Sequence, residues 1–145
     1  MDVRSGEDQA KSRDAGILER VAKRRVIRLT TIGRKSGLPR TVKVWFIVQG
    51  PGEIAVQHVR GIPQWYRNLL KDPHVQVDFG EFVVRGLAEP IRERTEIEQV
   101  LRKIRGKYGL LAQLLQLWGT KNAVAARIQL DWTSLGAPDG GLANR

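Results

Sequence analysis

A chain of 145 residues with 41% hydrophobic and 28% charged residues has room for one domain with a real core, and its net charge of +10 calls for an anionic partner or a strongly solvated surface. Cysteine is absent, which excludes disulfides, thiolate metal sites and thiol catalysis, and the two histidines, His58 and His74, are not spaced as a metal-binding pair. No apolar run approaches the roughly 18 residues of a membrane span, and the polar start "MDVRSGEDQAKSRDAG" lacks a signal peptide's core, so a cytoplasmic protein is expected.

Residues 1–14 mix charge with Gly and Ser without periodicity and read as a mobile tail ahead of a single domain over 15–135. "AGILERVAKRRV" places Ile17, Val21 and Ala22 on one side of a short basic helix, suited to packing on the domain or resting on a membrane. "RVIRLTTIG" and "PRTVKVWFIVQ" are β-branched strands separated by a Gly-rich turn, and "PGE" at 51–53 leads into a third, "IAVQHV". "PQWYRNLLKDP" reads as a helix with Pro63 in the first turn, a Trp65, Leu69 apolar pair and Asp72-Pro73 as the stop. Two strands, "HVQVDF" and "FVVRGLAEPI", join through Gly80-Glu81, with Val75, Val77 and Phe79 on one buried face. A helical region from Glu93 to about Trp118 carries Ile97, Val100, Leu101 and Ile104 at helical spacing, with breaks expected at Gly106 and Gly109. "AARIQLDW" is a last strand before a loose tail at 136–145. About six short antiparallel strands with inserted helices imply a mainly β (α+β) fold, a small barrel with helices at its ends.

The charge is concentrated. From Arg20 to Lys43 there are nine basic residues and no acidic one. Within that window Gly33 and Gly37 bracket "RKS". If both take turn conformations, the backbone N–H groups between them point outward as an anion-binding nest, with Arg34, Lys35 and the Ser36 hydroxyl supplying charge and donors and Arg40 closing the cluster from the returning strand. An ordinary solvated basic hairpin is the competing reading.

Two linked motifs, "LTTIGRKSGLPRTVKVWF" and "PQWYRNLLKDPHVQVDFG", resemble the deazaflavin-dependent nitroreductase family of split β-barrel oxidoreductases over roughly residues 25–90. The resemblance implies coenzyme F420, a deazaflavin with a phosphodiester and an oligoglutamate tail. It implies that Arg34, Lys35, Ser36, Gly37 and Arg40 hold the phosphate and tail, while Lys43, Val44 and Trp45 approach the ring, although a lysine at 43 is unusual there. The loop "QHVRGIPQW" would pass the ring, with His58 and Arg60 in place of a Ser-Lys pair and Trp65 as pocket wall or core anchor. His58 and Tyr108 are the candidates for completing protonation. "KYGLLAQLLQLWGTK" has one tyrosine and five leucines where nitroimidazole-reducing members carry several tyrosines, which favours an apolar acceptor such as a quinone, or contact with a membrane or a second subunit. Leucines at this spacing also suit an ordinary core. The expected activity is hydride transfer from reduced F420 to that acceptor. FMN or another ring cofactor in the same fold is the alternative. A basic nucleic-acid-binding module is the alternative of another class, disfavoured by 6% aromatic content and the lack of basic and aromatic interleaving.

Overall fold

A computed structural model describes residues 16–117 and 119–136. The tail expected at 1–14, nearly all of that at 136–145, and Trp118 lie outside the described residues. Gly136, assigned to the loose tail, is instead the last residue of a strand.

A first helix, α1, covers residues 16–21. Then follow β1 (Ile27–Ile32), β2 (Pro39–Val44), β3 (Phe46–Gly50), β4 (Glu53–His58), α2 (Gln64–Lys71), β5 (His74–Asp78), β6 (Val83–Ile91), α3 (Arg94–Tyr108), α4 (Leu110–Gln116) and β7 (Val124–Gly136). The strands form one antiparallel sheet in the order β2-β1-β5-β6-β7-β4-β3. Its two outermost strands are successive pieces of one run of chain, separated only by Trp45. The first piece pairs with β1, through Ile27 and Val44, and the second with β4, through Phe46 and Val56. The single strand expected over 39–49 is thus present but changes partner at Trp45, which is why six expected strands become seven in a split β-barrel.

Strand alternation sorts side chains into two apolar layers. Phe46, Ile54, Val56, Val75, Val77, Phe79, Ala126 and Ile128 face the interior, joined by Leu18 and Val21 of α1 and Trp65 and Leu69 of α2. The apolar face of α1 is therefore spent on the barrel, and it carries Leu18 where the sequence suggested Ile17, which is only partly buried. The intervening residues Ile47, Ala55 and Ala125 point the other way and pack against Ile97, Val100, Leu101, Ile104 and Tyr108 of α3 and Ala112 of α4. Helices α3 and α4 thus cover an outer face of the sheet, not a barrel end. Gly106 does not interrupt α3. The break falls at Gly109, whose φ of 65° ends one helix and starts the next. One glycine inside a helix costs only about 1 kcal/mol, which the row of buried α3 residues outweighs. At the seam between β6 and β7, a Cβ on Gly86 would sit 2.8 Å from the Gln129 carbonyl oxygen, so close strand approach fixes glycine there.

Candidate functional site

The turn from Gly33 to Leu38 is a tight loop in which the Gly33 amide donates to the Leu38 carbonyl and the Gly37 amide to the Gly33 carbonyl, both at 2.8 Å. Only Gly37 has positive φ, 72°. Gly33 is favoured for another reason: a Cβ there would lie 2.6 Å from Ser36 Oγ and 3.2 Å from the Leu38 carbonyl oxygen. The expected outward nest is largely consumed within the protein. The Arg34 amide donates to Asn68 Oδ1 at 3.1 Å, and the Leu38 amide to Ser36 Oγ at 3.1 Å. Among the described residues, the amides of Lys35 and Ser36 are the turn's two without an internal acceptor.

Asn68 explains why the two motifs occur together. It is 4% exposed, on the same helix as Trp65 and Leu69. Its Nδ2 donates to Thr31 Oγ1 at 3.1 Å, and its Oδ1 accepts from the Arg34 amide and, at 3.3 Å, from the Arg34 guanidinium. The guanidinium also donates to Gln64 Oε1 at 2.5 Å, and Lys71 Nζ donates to the Arg34 carbonyl at 2.7 Å. Helix α2 therefore pins the basic turn to the end of β1. The fixed turn lines a cleft of about 610 Å³ with Thr31, Arg34, Lys35, Ser36, Arg40, Trp65 and Asn68. Lys35 and Arg40 are exposed there without an ion pair among the described residues, unlike Arg20, which meets Glu81 at 3.0 Å. Trp65 is 5% exposed in the interior core and also forms part of the cleft wall. Gly37 lies just outside, on a smaller depression of about 410 Å³ shared with Lys71 and Asp72.

Along β2 the exposed side chains of Arg40, Thr41, Val42 and Lys43 lead from this cleft to a second, of about 300 Å³. Its walls are Lys43, Val44, Trp45, Gln57, His58, Val59, Arg60 and Leu115, so it gathers the remaining residues expected near a ring. His58 is exposed at the end of β4. Trp45 stacks on Tyr108 with centroids 4.2 Å apart and planes within 4°. Tyr108 lines neither cleft and is 6% exposed. Its hydroxyl donates to the Arg25 carbonyl at 2.8 Å and lies 3.2 Å from both the amide and the carbonyl of Phe46. Burial pushes its pKa up, which keeps the phenol protonated. Beside it Lys107 Nζ donates to the Phe46 carbonyl at 2.9 Å and sits 3.5 Å above the Phe46 ring. Burial, and secondarily the neighbouring Arg25 charge, lower the Lys107 pKa to about 8.

The leucine run is not core. Of α4, only Ala112 is buried, while Leu110, Leu111, Leu114 and Leu115, with Leu117 just beyond the helix, are 42–73% exposed. Sequence reasoning missed Thr31, Gln64, Asn68 and Gln57. A carboxamide on the apolar face of α2, three residues after Trp65, is the signal that marks Asn68. Gln57 gives a weaker one, a polar residue at a strand position that alternates with the buried Ala55.

Two unpaired cations in a polar cleft suit a ligand carrying phosphate or carboxylates, and an adjoining cleft walled by tryptophan and leucine suits a flat apolar ring, so the residues present fit a deazaflavin with an anionic tail. Among solved structures, the fold resembles a conserved hypothetical protein from Mycobacterium tuberculosis (24% identity, TM-score 0.65, covering 80% of this chain and 79% of that one). It also resembles an F420-H2 dependent reductase (23% identity, TM-score 0.57, 73% and 95% covered) and an F420 reductase (21% identity, TM-score 0.55, 78% and 92% covered). The model of the F420H2-dependent quinone reductase family matches residues 2–113, well over half of the chain, and the protein is therefore a member of that family, an oxidoreductase that uses coenzyme F420.

Proposed function

We propose that the two clefts divide the cofactor between them, with the phosphate and glutamate tail in the basic cleft and the ring in the second. The observation that carries this reading is the pair of exposed cations without an ion pair among the described residues, Lys35 on the turn that Asn68 pins and Arg40 on the adjoining strand β2. When bound in its reduced form, the deazaflavin supplies the hydride for a quinone-type acceptor. The chain's own residues bind, orient and exclude water. Lys35, Arg40 and the Ser36 amide meet the anionic tail, with Gly37 at the turn's outer edge, while Arg34, engaged by Gln64 and Asn68, shapes the turn and adds positive field. Val44 and Trp45 form an apolar wall whose indole is held in place by Tyr108, and Lys43 and Arg60 place positive charge around it. His58 is the exposed group at this cleft able to deliver a proton to reduced acceptor, with solvent as the alternative source. Tyr108 acts by positioning Trp45, since its hydroxyl is engaged with backbone.

Leu115 walls the second cleft and continues into the exposed leucines of α4, which supports an acceptor that arrives through an apolar surface. No described helix is long and apolar enough to cross a membrane, so contact with a bilayer would be peripheral and made by α4. Flotation with anionic liposomes tests that contact, and light scattering tests the alternative that the same leucines pair two copies as a homodimer.

The deciding experiment titrates the purified protein with oxidised F420 and with FMN by fluorescence, followed by turnover of menadione with reduced F420. Expected are saturable binding of F420 in preference to FMN and quinone reduction that requires F420. Preference for FMN, or no turnover, would overturn the reading.

A further inference from the structure

Gln57 carries a buried polar atom that the fold does not use. The residue is 8% exposed, and its Oε1 receives no hydrogen bond from the described residues. Buried acceptors in folded proteins are nearly always paired, so an orphan needs a reason. It lies on β4, one step beyond the Phe46–Val56 pair, which sets it across the strands from Trp45. It also shares the sheet face of Ala55, the face covered by the outer helical layer. Both Gln57 and Trp45 line the second cleft, together with Lys43, Arg60 and Leu115. Donors surround the cleft, yet none reaches this oxygen.

We infer that Gln57 Oε1 is the cleft's acceptor for an N–H or O–H carried by a bound ring system, making Gln57 a recognition residue for a heterocycle with a lactam-type edge. The inference rests on the proposed placement of the deazaflavin ring, whose pyrimidinedione edge bears such an N–H. The same carboxamide carries a donor, Nε2, so an N–H beside a carbonyl is the pattern it can read. A purely apolar ligand would leave Oε1 as unsatisfied as it is without one. A leucine or methionine would fill the position in the free protein at no polar cost, so glutamine is explained by a ligand and not by folding.

That distinction sets the test. Gln57→Met and Gln57→Glu are made in the full chain, and two quantities are read: the melting temperature without cofactor and the Kd for oxidised F420 by fluorescence titration. Gln57→Met is expected to melt at or above the wild-type temperature while binding F420 at least fivefold more weakly. Gln57→Glu, which keeps an acceptor of the same reach, is expected to bind more tightly than Gln57→Met. Unchanged F420 affinity in Gln57→Met overturns the inference while leaving the cofactor reading intact. A melting temperature lowered by several degrees in Gln57→Met, with weaker binding in both variants alike, overturns it as well, because the residue is then structural. Failure of the wild-type protein to bind F420 overturns both.

Discussion

The two clefts joined by β2 are held in shape by opposite kinds of chemistry. Behind the first stands a hydrogen-bonded lattice of Thr31, Arg34, Gln64 and Asn68, with its charged tips Lys35 and Arg40 left to solvent. Behind the second stands a stack of Trp45 on Tyr108, flanked by Lys107 and Arg25, with Leu115 on the cleft wall. Hydrogen bonds fix direction, which a charged tail needs from its clamp. Stacked aromatics fix a plane and exclude water, which a ring needs from its floor.

The comparison breaks most readily at Asn68. Asn68→Ala would leave the Thr31 hydroxyl and the Arg34 amide without their partners in a buried site, and a loss of about 3 kcal/mol in urea unfolding is expected, together with weaker F420 binding. A loss below about 1 kcal/mol would show that the lattice does not hold the turn. Lys35→Ala and Arg40→Ala probe the tips instead of the lattice. Each should weaken F420 binding more than tenfold, from the loss of a charge-assisted contact of roughly 1.5–3 kcal/mol, with stability unchanged within about 0.5 kcal/mol. Equal affinities in a fluorescence titration would remove the tail from this cleft.

The second cleft answers to pH. Because burial lowers the Lys107 pKa to about 8 from 10.5, the unfolded chain binds more protons than the folded one above about pH 8, and stability rises with pH through that window. Tyr108 opposes this from about pH 10 upward, where the unfolded chain loses a phenol proton that the folded chain keeps. Lys107 is only half-buried and solvent screens part of this effect, so Lys107→Met should abolish a gain of about 1–2 kcal/mol between pH 8 and 10, seen as the difference between wild-type and variant denaturation curves. Parallel curves would sink the assignment. The smallest effect is expected from Tyr108→Phe: a loss of about 1 kcal/mol from its backbone contacts, with menadione turnover within a few-fold of wild type well below the melting temperature. A hundredfold loss of turnover at unchanged stability would restore Tyr108 to the chemistry.

Local pattern made much of the barrel legible. Alternation in Val75, Val77 and Phe79 and the turn residues around 33–39, 51–53 and 80–81 place strands within a few residues of where they lie. What escaped was tertiary. The partner change at Trp45 occurs inside an unbroken β-branched run, and nothing local distinguishes a bent strand from a straight one there. Gly33 was read as a source of positive φ, whereas close packing of Ser36 and Leu38 explains it. The basic residues of the first cleft could be singled out by their density and their lack of acidic neighbours. Their backing by Asn68 could not, because it joins residues 34 to 37 positions apart. The leucines of α4 carry helical spacing that suits a core, and only the three-dimensional layer order shows that Ala112 alone turns inward.

Among the described residues, strand β2 pairs with β1 along one side only, which leaves its other side as an open sheet edge of the kind that invites a second chain to add on. That edge starts with Pro39, which has no N–H to offer, and exposes Arg40 and Lys43, whose like charges repel an identical strand. Arg40, which would meet the anionic tail, and Lys43, at the ring cleft, thus also guard the edge against self-association. Neutral replacement of both cations together is expected to weaken cofactor binding and to raise self-association, read by light scattering, whereas either single replacement leaves one charge on the edge.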